Sequence, residues 1–205
     1  MNNDAGLTKD IRGQDNQIVE DEAIRYIGSS IRITGHRNRI VIGSGAVLNN
    51  LKIAIDSDDN EIIIGSRARL TGNIAMKLAP GNRVAIGAGT SVGGANFICG
   101  ESTEILIGED CMFSWGVEIR STDSHAIFDM DTDERINKAS NIELGNHVWV
   151  GAHATLLGGA RVGSGSIVGI RSVVSKAFQQ ENVVIVGVPA RVTRERVRWE
   201  RPLLG

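Results

Sequence analysis

Aliphatic residues recur every six positions through the C-terminal half of the chain, at Leu144, Val150, Leu156, Val162, Val168 and Val174. Gly145, Gly151, Gly163 and Gly169 follow four of them. A helix repeats its buried face every 3.6 residues and a strand every 2, so neither explains this spacing. A sustained six-residue period is the pattern of a parallel β-helix, in which each hexad supplies one short strand and one corner. Three hexads close a triangular coil, and the aliphatic of each points into the prism. The glycine that follows is expected to take the positive φ that a tight corner demands.

A second regularity runs upstream. Asn38, Asn60 and Asn82 stand 22 residues apart, each four residues before an Ile-Gly pair (Ile42-Gly43, Ile64-Gly65, Ile86-Gly87), and Ile107-Gly108 follows 21 later. Hexads reappear inside each period: Ile42, Leu48, Ala54; Ile64, Leu70, Met76; Ile86, Val92, Ile98; Ile107, Phe113, Ile119. The surplus residues fall in polar stretches, Asp56 to Asn60, Ala79 to Asn82 and Gly100 to Thr103. The asparagine before each strand is expected to be a turn residue that accepts left-handed backbone.

After Ile119 the next hexad position is 125, yet the next aliphatic-glycine pair is Leu144-Gly145, so 19 extra residues leave the stack at one corner. The insert is rich in charge: Asp129, Asp131, Asp133, Glu134, Arg135 and Lys138. A long loop on a rigid scaffold points to function. About six coils at the spacing of paired strands make a prism roughly 29 Å long.

The pattern assigns residues 34–188 to the coil stack, with the loop at 125–143. Residues 1–33 read as an N-terminal arm or an imperfect first coil. Positions 1–17 lack periodicity, and 18–33 suit either a short helix with an edge strand or a coil. Residues 189–205 read as a cap, with Arg191, Arg194, Arg196, Arg198 and Arg201 forming a short basic helix that closes the open end.

Composition agrees with a narrow prism. Glycine makes up 25 of 205 residues and aromatics only 4%, against a usual glycine share of about 7%. The net charge of −2 gives no drive toward nucleic acid. The N-terminal stretch lacks the apolar run of a signal peptide, and no stretch approaches the roughly 18 apolar residues of a membrane span. The expectation is a cytoplasmic protein without membrane insertion. Cys99 and Cys111 have no metal-type spacing and read as core thiols.

Four histidines are present: His36, His125, His147 and His153. His125 opens the long insert and follows Asp123 and Ser124, which can orient its ring. Histidine is the usual proton carrier near neutral pH. A surface histidine beside a turn is the alternative. His147 and His153 fall at equivalent places on consecutive faces, and a third metal ligand at short spacing is missing. No G-x-S-x-G elbow is present.

Four separate segments together resemble the hexapeptide-repeat acetyltransferases of the maltose/galactoside type and the capsular or exopolysaccharide O-acetyltransferases. They are Ile107 to His125, Ile142 to Gly151, Val173 to Lys176, and Gly187 to Arg191. The resemblance implies an all-β, left-handed parallel β-helix that assembles as a homotrimer, with active sites in clefts between subunits. It implies acetyl-CoA as acyl donor, a carbohydrate acceptor, and no metal. By the same resemblance His125 matches the catalytic histidine, and Trp149 a tryptophan lining the acetyl-CoA site. Ala152 and Ile170 fall beside the pantetheine arm, Ser175 and Lys176 near the far end of the cofactor, and Arg191 and Arg194 near its phosphates. Asn96 is similar to an asparagine near the oxyanion, at a shorter spacing to Ile107.

The expected function is transfer of acetyl from acetyl-CoA to a carbohydrate hydroxyl, that of a surface or capsular polysaccharide or its precursor, with His125 as general base. A thioester is already activated, so no enzyme nucleophile is required. Three other readings remain open at this point: acetylation of an antibiotic hydroxyl, a γ-carbonic-anhydrase-like metal site using His125, His147 and His153, and a non-catalytic solenoid.

Overall fold

The computed structural model describes residues 6–202. The described chain is all-β, without a helix, and winds as a left-handed parallel solenoid of about eight turns. One face of the prism is an eight-stranded parallel sheet: Gln17–Glu20, Arg39–Ile42, Glu61–Ile64, Arg83–Ile86, Glu104–Ile107, Ile142–Leu144, Arg161–Val162 and Ala177–Phe178. We call it face one. Faces two and three are separate strands in the lower coils: Met112–Phe113 then Val117–Arg120, Trp149–Val150 then Thr155–Leu157, Ile167–Val168 then Val173–Val174. In the upper coils they run together as the long strands Val47–Ile55, Arg69–Lys77 and Ser91–Gly100. Corners one, two and three follow faces one, two and three.

The stack begins at Leu7. Leu7–Ile11 pairs in parallel with Ser29–Ile33, and Gln17–Glu20 with Arg39–Ile42. Of the two readings of 18–33, the structure has coil and no helix, and strand pairing extends into the segment read as aperiodic. Residues 1–5 and 203–205 of the two terminal segments lie outside the described residues.

All six aliphatics of the 144–174 run are buried, as are Ile107, Phe113 and Ile119. Higher up the hexads slip. The pairing register shifts between Leu48 and Leu51 and again between Val92 and Ala95. A one-residue slip turns every later side chain to the other side of a strand. Ile55 and Cys99 therefore enter the core, where the six-residue count placed Ala54 and Ile98, and these two stand in half-buried outer positions.

The glycines after the aliphatics do not have positive φ. Left-handed backbone sits two residues later, at Gly45, Arg67, Gly89, Asp110 and His147 (φ 71°, 56°, 68°, 52° and 54°). The glycines instead stand where one coil presses on the next. A Cβ on Gly65 would lie 2.5 Å from Ala88 N, and one on Gly151 would lie 2.7 Å from Ile170 N. Closeness between coils, not turn geometry, excludes a side chain there.

The asparagines are also not left-handed; Arg37, Asp59 and Gly81 just before them are. They form a buried ladder. Asn60 Nδ2 donates to Asn38 Oδ1 (2.8 Å), and Asn82 Nδ2 donates to Asn60 Oδ1 (2.8 Å). The backbone N–H of each also donates to the Oδ1 above it, at 2.9 and 3.0 Å. Each amide thus satisfies polar groups that the corner would otherwise bury unpaired.

The C-terminal segment is not a basic helix. Ala190–Arg194 is a strand pairing antiparallel with Val184–Gly187. Ala190 is buried and Val192 half-buried while Arg191, Thr193 and Arg194 are exposed, the two-residue alternation of an edge strand. Pairing with the last coil occupies backbone groups that an open solenoid end would leave free.

Gly65→Ala and Gly89→Ala separate close approach from backbone conformation. Gly89 has no neighbour within 4 Å of its would-be Cβ, so its cost is the left-handed penalty of about 1–2 kcal/mol. Gly65→Ala forces the coils apart and is expected to cost clearly more, read as a lower midpoint in denaturant unfolding. Equal midpoints would remove the close-approach explanation.

Candidate active site

The long insert leaves corner three just after Val117–Arg120. Its base is closed by Asn137, whose Nδ2 donates to His125 O (2.8 Å) and to Asp123 Oδ2 (2.9 Å), while Asn137 Oδ1 accepts from Ile127 N (2.7 Å). Glu101 grips the loop from the coil above. It accepts from Arg135 Nη2 (3.0 Å) and from the Thr122 hydroxyl. The bond from Arg135, then that from Thr122, holds the Glu101 carboxyl below its ordinary range, outweighing a smaller effect of burial.

His125 is exposed at this base. Its two sequence neighbours do not orient the ring: the Asp123 carboxylate is taken by Asn137, and the Ser124 hydroxyl is enclosed without a partner among the described residues. The ring itself is open to an incoming group. At the same corner lies a cavity of about 210 Å³ lined by Ser121, Asp123, Asn137, Lys138, Leu157 and Ser175, with the His125 ring outside its lining. Ser175 and Lys176 follow Val173–Val174 at corner three, so the structure groups them with His125. Lys176 Nζ stands 5.4 Å above the Phe178 ring.

The other expected site residues lie elsewhere on the perimeter. Trp149 begins a face-two strand and is 38% exposed. Ala152 and Ile170 stack at corner two, where Arg171 N donates to Ala152 O (2.9 Å); Ala152 is buried and Ile170 projects. Arg191 and Arg194 lie on the terminal antiparallel strand, paired with Val186 and Val184 of the last coil. Within one chain, face one separates the His125 corner from Trp149. Asn96 is on the outer surface, between Asn73 Nδ2 (2.6 Å to its Oδ1) and Glu118 Oε2 (3.1 Å from its Nδ2).

His147 and His153 do not join His125. His147 Nδ1 meets Asp110 Oδ2 at 2.7 Å, and its Nε2 meets Trp199 O at 3.1 Å. His153 is edge-on to Trp115, with ring centroids 6.4 Å apart. No cluster of three metal-binding side chains occurs among the described residues. The thiols are not nucleophiles: burial raises both, Cys111 to about 11.

Sequence reasoning missed two groupings: the Glu101–Arg135 clasp and the cluster of Asp110, His147, Trp199 and Arg201. A lone tryptophan in an arginine-rich tail was the one local sign of the second.

A rigid coil stack with a histidine at the root of its single long loop can be compared with known proteins. A comparison with models of known protein families gives no match. The chain is 31% identical over 175 residues to a polysialic acid O-acetyltransferase of Neisseria meningitidis, covering 85% of this chain and 81% of the relative. The chain belongs to the hexapeptide-repeat O-acetyltransferases. Two crystal structures are similar to the enzyme along nearly its whole length. The polysialic acid O-acetyltransferase OatWY is 28% identical with a TM-score of 0.90, covering 96% of this chain and 93% of that one. The polySia-specific acetyltransferase NeuO is 28% identical with a TM-score of 0.87, covering 96% and 90%.

The clasp is expected to make the enzyme's loop sensitive to acid. A carboxyl held below its ordinary range contributes above that range, and the contribution is lost as pH falls through the lowered value. Pepsin is therefore expected to cut the insert increasingly as pH drops below the ordinary glutamate range. Glu101→Gln should be cut readily throughout, without that step. An acid-dependent step of unchanged size in Glu101→Gln would dismiss the clasp as its cause.

Proposed function

We propose that the enzyme transfers acetyl from acetyl-CoA to a hydroxyl of a sialic-acid-containing surface polysaccharide, with His125 as general base. The match to a polysialic acid O-acetyltransferase over most of both chains carries the acceptor class. The exposed, unpartnered ring of His125, at the corner that also carries a polar cavity, supports the base. His125 takes the proton from the sugar hydroxyl as its oxygen attacks the thioester carbon, and returns it to the departing thiolate. The already activated thioester leaves no task for an enzyme nucleophile, in keeping with the raised thiols.

The enzyme works as a homotrimer in the cytoplasm, where acetyl-CoA is made. The placement of His125, Ser175 and Lys176 at one corner and Trp149, Ala152 and Ile170 on another side supports a groove between copies, each lending one side. Trp149 walls the donor, Ala152 and Ile170 flank its pantetheine arm, Ser175 and Lys176 meet its far end, and Arg191 and Arg194 meet its phosphates. The apolar tip of the insert, where Met130 is fully exposed and Phe128 and Ile136 are largely so, suits contact across that groove. The 34–188 coil unit with its 125–143 loop carries the chemistry, and the strand Ala190–Arg194 closes its end.

His125→Ala is expected to lower turnover at least a hundredfold, with an unchanged unfolding midpoint, in a thiol-release assay with acetyl-CoA and oligosialic acid. Near-normal turnover would remove the mechanism. Equal or greater rates with maltose or a galactoside would remove the acceptor class. Sedimentation equilibrium is expected to give three times the chain mass, and a monomer would remove the shared groove.

A further inference from the structure

Beyond its terminal strand, the chain turns back and climbs corner one against the direction of the solenoid. Val197 N donates to Asn182 O (2.9 Å), Trp199 reaches the coil of His147, and Arg201 reaches the coils of Asp110 and Gly89. Trp199 is only 6% exposed, although it lies on the outside of the prism. Its ring stacks on His147, with centroids 4.0 Å apart and planes 9° from parallel, and its Nε1–H donates to His147 O (2.9 Å). The two ring nitrogens of His147 meet Asp110 Oδ2 (2.7 Å) and Trp199 O (3.1 Å), so the ring is tied both to the coil above and to the tail.

Arg201 fastens the segment. Its guanidinium donates to Asp110 Oδ1 (2.8 Å), Ser91 Oγ (2.8 Å), and the carbonyls of Asp110 (3.1 Å) and Cys111 (2.9 Å). Burial raises the Asp110 carboxyl, but the bonds from His147 and Arg201 together outweigh it and hold the carboxyl below its ordinary range. A segment kept only as a cap would need no such anchor four coils above the open end.

Trp199 also packs against Trp149. Their ring centroids are 6.0 Å apart with planes tilted by 46°, a favourable geometry for two indoles. Trp149 sits on the two-residue strand Trp149–Val150, with its side chain on the outer surface and 38% exposed. We infer that Trp199 is a positioning residue: held by His147, Asp110 and Arg201, it backs the Trp149 indole and fixes the wall against which acetyl-CoA lies. This rests on the proposed role of Trp149 at the donor site. A fixed indole binds without first giving up rotational freedom, so the gain falls on donor affinity rather than on the chemical step.

Calorimetric titration of the full chain with CoA, together with kcat and KM for acetyl-CoA, tests this in Trp149→Ala, Trp199→Ala, Trp199→Phe, Arg201→Gln and the Trp149→Ala/Trp199→Ala double variant. An aromatic pair is worth roughly a factor of two to ten in an equilibrium. Trp199→Ala is therefore expected to weaken CoA binding about fivefold and raise KM in step, with kcat within about twofold. Trp199→Phe should recover most of the affinity, and Arg201→Gln should show a smaller loss. In the Trp149→Ala background Trp199→Ala should cost nothing further, because its effect passes through Trp149. Equal losses in both backgrounds, or none in either, would overturn the inference while leaving Trp149 at the donor site. If Trp149→Ala itself binds CoA normally, the donor-wall reading fails, and the inference with it. If Trp199→Ala does not fold, Trp199→Phe and Arg201→Gln decide: normal KM in Arg201→Gln, with the tail detached by protease mapping, overturns it.

Discussion

The structure depends on the distance between one coil and the next. Parallel strands pair at about 4.8 Å, and the whole chain is wound so that every face keeps that spacing through about eight turns. Backbone bonds between coils run down the corners as well as the faces, from Arg67 N to Ser44 O, Gly89 N to Ser66 O, Asp110 N to Ala88 O and His147 N to Glu109 O. No corner has room to adjust alone. The glycine column at 65, 87, 108, 145 and 163 answers that pressure, since a Cβ at any of them would collide with the coil below. The asparagine ladder answers it too, by turning the close repeat of one corner into a chain of amide hydrogen bonds.

A scaffold this rigid is suited to group transfer between two substrates. In the proposed mechanism neither reactant needs a covalent stop on the protein, so the protein's part is position and a proton carrier. The stack supplies position through its walls, and at corner three it lets go of regular geometry in the long insert. The loop there is not loose: Asn137 ties its two arms together at His125 and Asp123, Phe128 bridges to Arg135, and Glu101 holds it to the coil above. His125 thus sits at the junction of a fixed prism and a tethered loop. The terminal tail makes a second external attachment along corner one, ending in the arginine that Asp110 holds.

Much of this was legible in the primary structure. The six-residue period at 144–174 specified coil and burial correctly because no residue is inserted there. The position of the insert, and His125 at its root, followed from counting. The solenoid class followed because a local period reports directly which side chains turn inward. What failed did so where contacts skip from coil to coil. Ala54 and Ile98 were placed inside because a bulge is invisible to a fixed count. The glycines were assigned to turns because their real neighbours, such as Ala88 for Gly65, lie a full coil away in sequence.

The sequence alone therefore determined the winding, the composition of the narrow core, and which corner opens into a loop, since each is repeated within a single coil. The tertiary structure alone decided which glycines are pressed by a neighbour, that the asparagines pair with one another, and that His125 and Trp149 occupy different sides of one chain. It alone decided the tail, whose bonds join residues 52 to 112 positions apart. Partners at such separations leave no periodic trace in a sequence, because only the stacking of the coils brings them within reach.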